Sequence, residues 1–280
     1  MGYHIIMDSV GDRTEELLAM DNFSVAPLKL IIDDQEFTDD GGIDQRKLLE
    51  KIASAKTCPK SACPSPKEYK NLYEKHKGNR IYVIAGTSEL TGSYNSAKLA
   101  QNLFLEEFPD AQIMVFDSKS GTAGETLLAY KVIEFEKAYN NFERVIKEIN
   151  QFIKKQETIF VLGDVKFLQQ SGRLTGLKSL LVTALNIIPI LAADEHGTIV
   201  QVGQARGSKK ALKKLMERII EEIKIGKQKI LVISHCSCLE RAEALKDELI
   251  TIFPTLDVKI SNTGGIATLY AGNQGIVVSY

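Results

Sequence analysis

The stretch Ile81-Tyr-Val-Ile-Ala-Gly-Thr-Ser-Glu-Leu-Thr-Gly-Ser-Tyr-Asn-Ser-Ala97 decides the fold class. An apolar run ends at Gly86. Hydroxyls then cluster at Thr87, Ser88, Thr91, Ser93 and Tyr94, and an alanine-containing helical pattern follows. This reads as a strand, a polar turn and a helix N-terminus. Such a turn gathers unpaired backbone N–H groups and hydroxyl donors in one place, which suits an anion. No catalytic base accompanies it. The turn points to holding a negative group more than to performing a reaction.

The same punctuation recurs. Tyr3–Met7 is a short apolar run closed by Asp8-Ser9, and Gln112–Phe116 is closed by Asp117-Ser118. Helical spacing lies between and around these runs, at Thr14–Met20, Asp44–Ala53, Lys67–Lys77, Ser93–Phe108, Thr122–Lys137 and Asn141–Lys155. Phe23–Ile32 is β-rich but holds Pro27, which argues for an edge or irregular strand. Lys56–Pro66 carries three prolines and reads as a loop. Alternating strands and helices make an open, parallel, doubly wound sheet, whose strand carboxyl ends line one edge where ligands bind.

The second half changes character. Thr158–Gly163 reads as a strand, and Lys166–Asn186 is leucine-rich, interrupted by Ser171-Gly172-Arg173 and Gly176. Ile187–Ala192 and Thr198–Val202 flank the turn Asp194-Glu-His-Gly197, a hairpin signature and hence antiparallel strands. Ala211, Leu212, Leu215, Met216, Ile219, Ile220 and Ile223 form an apolar helical stripe. Strands at Lys229–Ser234, Val258–Ser261 and Gly275–Ser279 surround a helix at Glu240–Phe253. The expected architecture is α/β with two domains. The first, 1–156, is a mostly parallel doubly wound sheet; the second, 157–280, is α/β with antiparallel strands. A ligand cleft is expected between them.

Composition narrows the class. The chain has 280 residues and a formal net charge of −1, which gives no global pull toward nucleic acid. No apolar run approaches the ~20 residues of a membrane-spanning helix. The segment Met1–Ser9 reads as a first strand and not as a signal peptide, so a cytoplasmic protein is expected. Cys58, Cys63, Cys236 and Cys238 miss the common zinc spacing. Reduced thiols, no metal and no cofactor are expected.

Individual residues carry two readings each. Thr91-Gly92-Ser93 suits a capped helix start and a ligand contact, and the two are compatible. Gly121-Thr-Ala-Gly124 lacks the ending of a phosphate loop and reads as a tight turn. Arg173 is either a surface arginine in a glycine turn or a cation aimed into the cleft, where its planar fork suits a carboxylate. His235 next to Cys236 and Cys238 lacks a supporting triad pattern. His4 reads as structural, and His76 and His196 as solvent-exposed loop residues. Lys209, Lys210, Lys213 and Lys214 form a solvated face, with docking to an acidic partner or anionic lipid as the alternative.

Taken in order along the chain, these elements resemble the DegV family of fatty-acid-binding proteins. The resemblance rests on Asp8-Ser9 with Asp12, Ala26-Pro27-Leu28, and Thr87 through Ala97 as the hallmark turn. Asp117-Ser118 with Gly124, Phe167-Leu168 with Gly172-Arg173-Leu174, Ile188-Pro189-Ile190-Leu191, and Arg206 with Lys209-Lys210-Ala211 continue it. It implies two α/β domains with a long-chain fatty acid in a buried apolar tunnel. It also implies a partner, the catalytic subunit of a fatty acid kinase, to which the carboxylate is presented. The protein is then a carrier with no catalytic residue of its own, and a transient membrane contact fits that role. The resemblance places ligand contacts at Ser61, Thr91, Gly92, Ser93, Arg173 and Asn262. At Asn262 it departs from the pattern, since the family has a histidine there. An amide can donate a hydrogen bond but cannot offset charge. Two other readings stand beside this one. One is an enzyme acting on a phosphorylated small molecule through Asp8, Asp117 and Gly121–Gly124, which requires a hydrophilic pocket. The other is an interaction protein using the Lys209–Lys214 face.

Overall fold

A computed structural model describes residues 2–174, 186–226 and 228–280. The first segment runs β1 (Tyr3–Asp8), α1 (Glu15–Leu18), β2 (Phe23–Ala26), β3 (Lys29–Ile32), β4 (Gln35–Thr38), α2 (Gln45–Ala53) and β5 (Lys60–Ala62). It continues through α3 (Pro66–Lys75), β6 (Arg80–Ala85), α4 (Ser93–Glu107), β7 (Ile113–Asp117), α5 (Ala123–Tyr139) and α6 (Phe142–Ile153). The remainder is β8 (Thr158–Val161), α7 (Lys166–Gln170), β9 (Ile187–Ala193), β10 (Ile199–Arg206), α8 (Ser208–Gly226), β11 (Ile230–His235), α9 (Leu239–Ile252), β12 (Asp257–Asn262), α10 (Gly265–Ala271) and β13 (Ile276–Ser279). The expected Gly176 turn lies outside the described residues. None of the helices described is long and apolar enough to cross a membrane.

Strands β2-β1-β6-β7 form a parallel sheet in that order. Its alternation is strict, because successive side chains point to opposite faces. Ile6, Ile81, Val83 and Val115 pack with Tyr69, Tyr73, Ala97 and Phe104 of α3 and α4. Ile5, Met7, Tyr82, Ile84 and Phe116 face the other way, onto α5. The sheet is therefore doubly wound.

A second, mixed sheet runs β10-β9-β8-β13-β11-β12. Only β11 and β12 are parallel; the β9–β10 hairpin and the pairs through β13 are antiparallel. Ile159, Val161, Leu231, Ile233, Ile276 and Val278 pack beneath α8 and α9. Phe160, Leu191, Val232 and Val277 join the cluster that contains α5. Helix α5 is thus clamped between the two sheets. Every residue from Ala123 to Val132 is buried, Glu125 among them.

Two local results differ from the sequence expectation. The β-rich stretch at Phe23–Ile32 is two strands in two sheets. Pro27 supplies no ladder N–H and divides them, so β2 edges the parallel sheet while β3 joins an antiparallel ribbon β4-β3-β5. His76 is not a free loop residue. Its ring stacks on His4 with centroids 3.4 Å apart, and Ser24 Oγ lies 2.7 Å from His4 Nε2. Burial, with the facing His76, lowers the His4 pKa to about 4.

Candidate functional site: an apolar cavity with a polar head

The turn after β6 is built on a buried carboxylate. Asp8, at the end of β1, accepts the Gly86 N–H at 3.0 Å and the Val10 N–H at 2.9 Å. Asp117, at the end of β7, accepts from the Ser88 N–H at 3.2 Å and from the Ser88 hydroxyl. The strand-end carboxylates are thereby consumed in holding loops. Glycine suits position 86 because the site is close: a Cβ there would sit 3.1 Å from Thr91 Cγ2 and 3.2 Å from Glu125 Oε1. Burial drives the Glu125 pKa well above the ordinary carboxylate range, with the adjacent Asp8 adding to it. Burial thus favours the protonated form of Glu125 beneath the turn.

Gly92 is the N-cap of α4 and offers no side chain. A Cβ at this position would meet Cys63 Sγ at 3.2 Å, so glycine lets the helix start lie against the segment that carries Ser61. Ser93 is fully buried, its hydroxyl 2.6 Å from the Tyr69 phenol. Its N–H donates to Thr91 Oγ1 at 3.2 Å. That bond occupies a lone pair of Thr91 and leaves its hydroxyl hydrogen for another acceptor.

Ser61, Thr91 and Arg173 meet at one cavity between the first sheet's carboxyl edge and the face of the second sheet. Gly92 and Ser93 back its wall without lining it, and Asn262 is exposed at the end of the edge strand β12, also away from it. The centre of a water-sized sphere can move through about 130 Å³ of the cavity. Its body is apolar, formed by Val10, Leu28, Leu90, Phe160, Leu162, Leu168, Ile199, Ile266 and Val277. The polar lining is largely hydroxyl: Ser61, Thr87, Thr91, Ser120, Thr122 and Thr158. Ser120, in the loop after β7, bonds Thr158 of β8 at 2.8 Å and so ties the first sheet's edge to the second sheet, where Thr158 in turn bonds its neighbour Ser279 at 2.9 Å. Arg173 is the one charged side chain among the described lining residues.

Arg173 is held on two sides. Its Nε donates to the Leu90 carbonyl at 3.0 Å, and its guanidinium lies over the Tyr270 ring, 4.8 Å from the centroid. Tyr270 also touches Ser61, the two hydroxyl oxygens being 2.9 Å apart. Sequence reasoning missed Tyr270. It sits in α10, which begins and ends at glycines, and no local pattern marks it.

His235 and the neighbouring cysteines form no nucleophilic pair. His235 Nδ1 accepts the Cys238 N–H at 3.4 Å, and burial raises the pKa of both Cys236 and Cys238. A depressed pKa is what a nucleophilic thiol needs.

A two-sheet α/β protein whose apolar cavity ends in hydroxyls and one arginine belongs to the class that encloses an amphipathic anion between its halves. The chain is a member of the DegV family: the family described as "Uncharacterised protein, DegV family" matches residues 3–280. Among solved structures, a DegV family protein of Ruminococcus gnavus, refined with vaccenic acid, is 43% identical. It superposes with a TM-score of 0.93 and covers 99% of both chains. The fatty acid kinase (Fak) B3 protein of Streptococcus pneumoniae, loaded with linoleic acid, is 33% identical with a TM-score of 0.91, covering 100% of this chain and 99% of that one. A DegV family protein of Eubacterium eligens loaded with heptadecanoic acid is 29% identical with a TM-score of 0.90, covering 99% of both.

Proposed function

We propose that this protein is a cytoplasmic carrier. It binds one long-chain fatty acid in the cavity and presents the carboxylate to the catalytic subunit of a fatty acid kinase. The observation that carries this reading is the pairing of an apolar cavity with a single cation, Arg173, and with no carboxylate among its described lining residues. The fatty-acid-loaded relatives support it, and the S. pneumoniae relative is named as a B protein of fatty acid kinase. The reading that needs a hydrophilic phosphate pocket is disfavoured, because Asp8 and Asp117 face inward onto their loops.

The division of labour follows from magnitudes. Burying ~14 methylenes of a C16 chain is worth on the order of 11 kcal/mol before ordering and association costs. One hydrogen bond to a charged group is worth roughly 1.5–3 kcal/mol. The chain sets affinity. Ser61, Thr91 and Arg173 set direction, with Gly92 and Ser93 holding the turn behind them. Loading includes a transient contact of the exposed Lys209, Lys210, Lys213 and Lys214 face with an anionic membrane surface. Flotation with vesicles containing and lacking anionic lipid tests that contact; equal recovery would remove it.

The primary test is denaturing mass spectrometry of the purified protein. It should release close to one equivalent of fatty acid. A protein that is empty, and that takes up neither palmitate nor oleate, would sink the proposal. Arg173→Ala and Thr91→Ala should lower acyl-phosphate formation in a reconstituted kinase assay more than they lower fatty acid content. Unchanged turnover would remove these residues from the head-group site.

A further inference from the structure

The polar end of the cavity is assembled from three remote segments. Ser61 comes from β5, Arg173 from the turn after α7, and Thr91 from the turn before α4. Tyr270 of α10 touches two of them at once. Its phenol oxygen lies 2.9 Å from Ser61 Oγ, and its ring lies under the Arg173 guanidinium at 4.8 Å. These two contacts use different parts of one side chain.

Each contact restricts how its partner can act. Arginine's Nε is committed to the Leu90 carbonyl at 3.0 Å, and its face to Tyr270. No acceptor among the described residues engages Nη1 or Nη2. What remains is the in-plane edge of Nη1 and Nη2, the pair of donors that matches a carboxylate bidentately. Without the ring, only the Nε bond would hold a long side chain with high rotamer entropy. Ser61 has one hydrogen. If that hydrogen is given to an anion, the phenol must be the donor in the Ser61–Tyr270 pair. Tyr270 then satisfies a lone pair of Ser61 and prevents the serine hydrogen from turning back onto the phenol.

We propose that Tyr270 is the positioning residue of the head-group site, its ring fixing the plane of Arg173 and its hydroxyl aiming the Ser61 proton, so that both converge on one carboxylate. This proposal rests on the carrier reading and deepens it. It also accounts for a head-group site to which Asn262 contributes nothing, since Asn262 is exposed at the end of β12.

Affinity alone would not separate positioning from structure. The useful readout is the ratio of affinities for palmitic acid and hexadecanol, which share a chain and differ in head group. Tyr270→Phe keeps the ring and should lower the acid preference by roughly fivefold, about the value of one hydrogen bond. Ser61→Ala should do the same, and the double variant should lose no more than either alone. Tyr270→Leu should lower the preference further and show the same coupling with Arg173→Ala. Acid preference that stays at the wild-type value in both Tyr270 variants would overturn the proposal. So would equal losses for acid and alcohol, which mark a packing role. Wild-type binding of palmitate is measured in the same series. Its absence would instead defeat the carrier reading itself.

Discussion

Asp12 is fully buried, with one oxygen accepting the Gly264 N–H at 2.8 Å and the other without a partner. Burial pushes its pKa from 3.8 up to about 7. The folded chain therefore keeps this proton through a window in which the unfolded chain has lost it. Stability from Asp12 is complete below pH 3.8 and is lost as pH rises through about 7, by up to ~1.4 kcal/mol per pH unit. Buried His4 works in the opposite sense, costing stability as pH falls from 6.5 through about 4. The two slopes oppose each other, so the test is a difference curve. Asp12→Asn keeps an acceptor for Gly264 and should be more stable than wild type at pH 8, with the gap closing toward pH 4. A pH-independent gap in urea unfolding would refute this. Arg80 and Glu136 present the other buried-charge case. Two guanidinium donors reach the carboxylate at 2.9 and 2.6 Å, and Tyr82 donates to it as well. Glu136→Ala leaves the arginine buried and uncompensated and should cost about 3–5 kcal/mol. A loss below ~1 kcal/mol in denaturant titration would show that Arg80 escapes to water. Neither arrangement was legible in the sequence. Asp12 belonged to a motif, but its partner lies 252 positions away and is a backbone group.

Elements were readable where a single period ran long enough. The apolar runs of β1 and β6 and the stripe of α8 are local properties, and each became the expected strand or helix. The ribbon β4-β3-β5 was not readable. Gln35–Thr38 is polar and Lys60–Ala62 is three residues long among prolines, so neither shows a period. Helix α10 was missed for a related reason. Its first N–H groups, Gly265 and Ile266, are capped by Asp39 from 226 and 227 positions away, where a local cap would have signalled it. Ser61 was placed through the family resemblance, whereas Tyr270 depended on α10 and went unseen. The turn into α5 shows a further cost hidden from sequence. Thr122 sits at φ 49° and ψ −119° while lining the cavity. A β-branched residue is rarely found at positive φ, and such strain gathers at functional sites. Thr122→Gly removes the strain and should raise stability by about 1 kcal/mol. A fall in the melting temperature would mean that the threonine side chain contributes more than its backbone costs.

The two halves, which we divide at 1–156 and 157–280, are separate in chain order but share a core. Helix α5 presents Leu127, Leu128 and Val132 to a cluster that draws Ile5, Met7 and Ile84 from one sheet and Phe160, Leu191 and Val277 from the other. The cavity lies beside this shared core and takes its walls from both halves. The proposed carrier role benefits from that arrangement, because an enclosed chain stays dry only while both walls are in place. From the same arrangement we expect the second half not to fold on its own. Without α5, one face of the mixed sheet loses its cover, while the other keeps α8 and α9. A fragment of residues 157–280 would then expose this apolar face to water, the kind of patch that soluble monomers rarely leave open. We expect that fragment to aggregate or to bind a hydrophobic dye without a cooperative melt. The full chain should unfold in one transition, with hydrogen exchange in β6 and β11 governed by the same opening free energy. Added fatty acid should raise that single transition by RT ln(1 + [L]/Kd). A fragment that melts cooperatively, or ligand that shifts only one of two resolved transitions, would show that the halves are autonomous and that α5 is merely a linker between them.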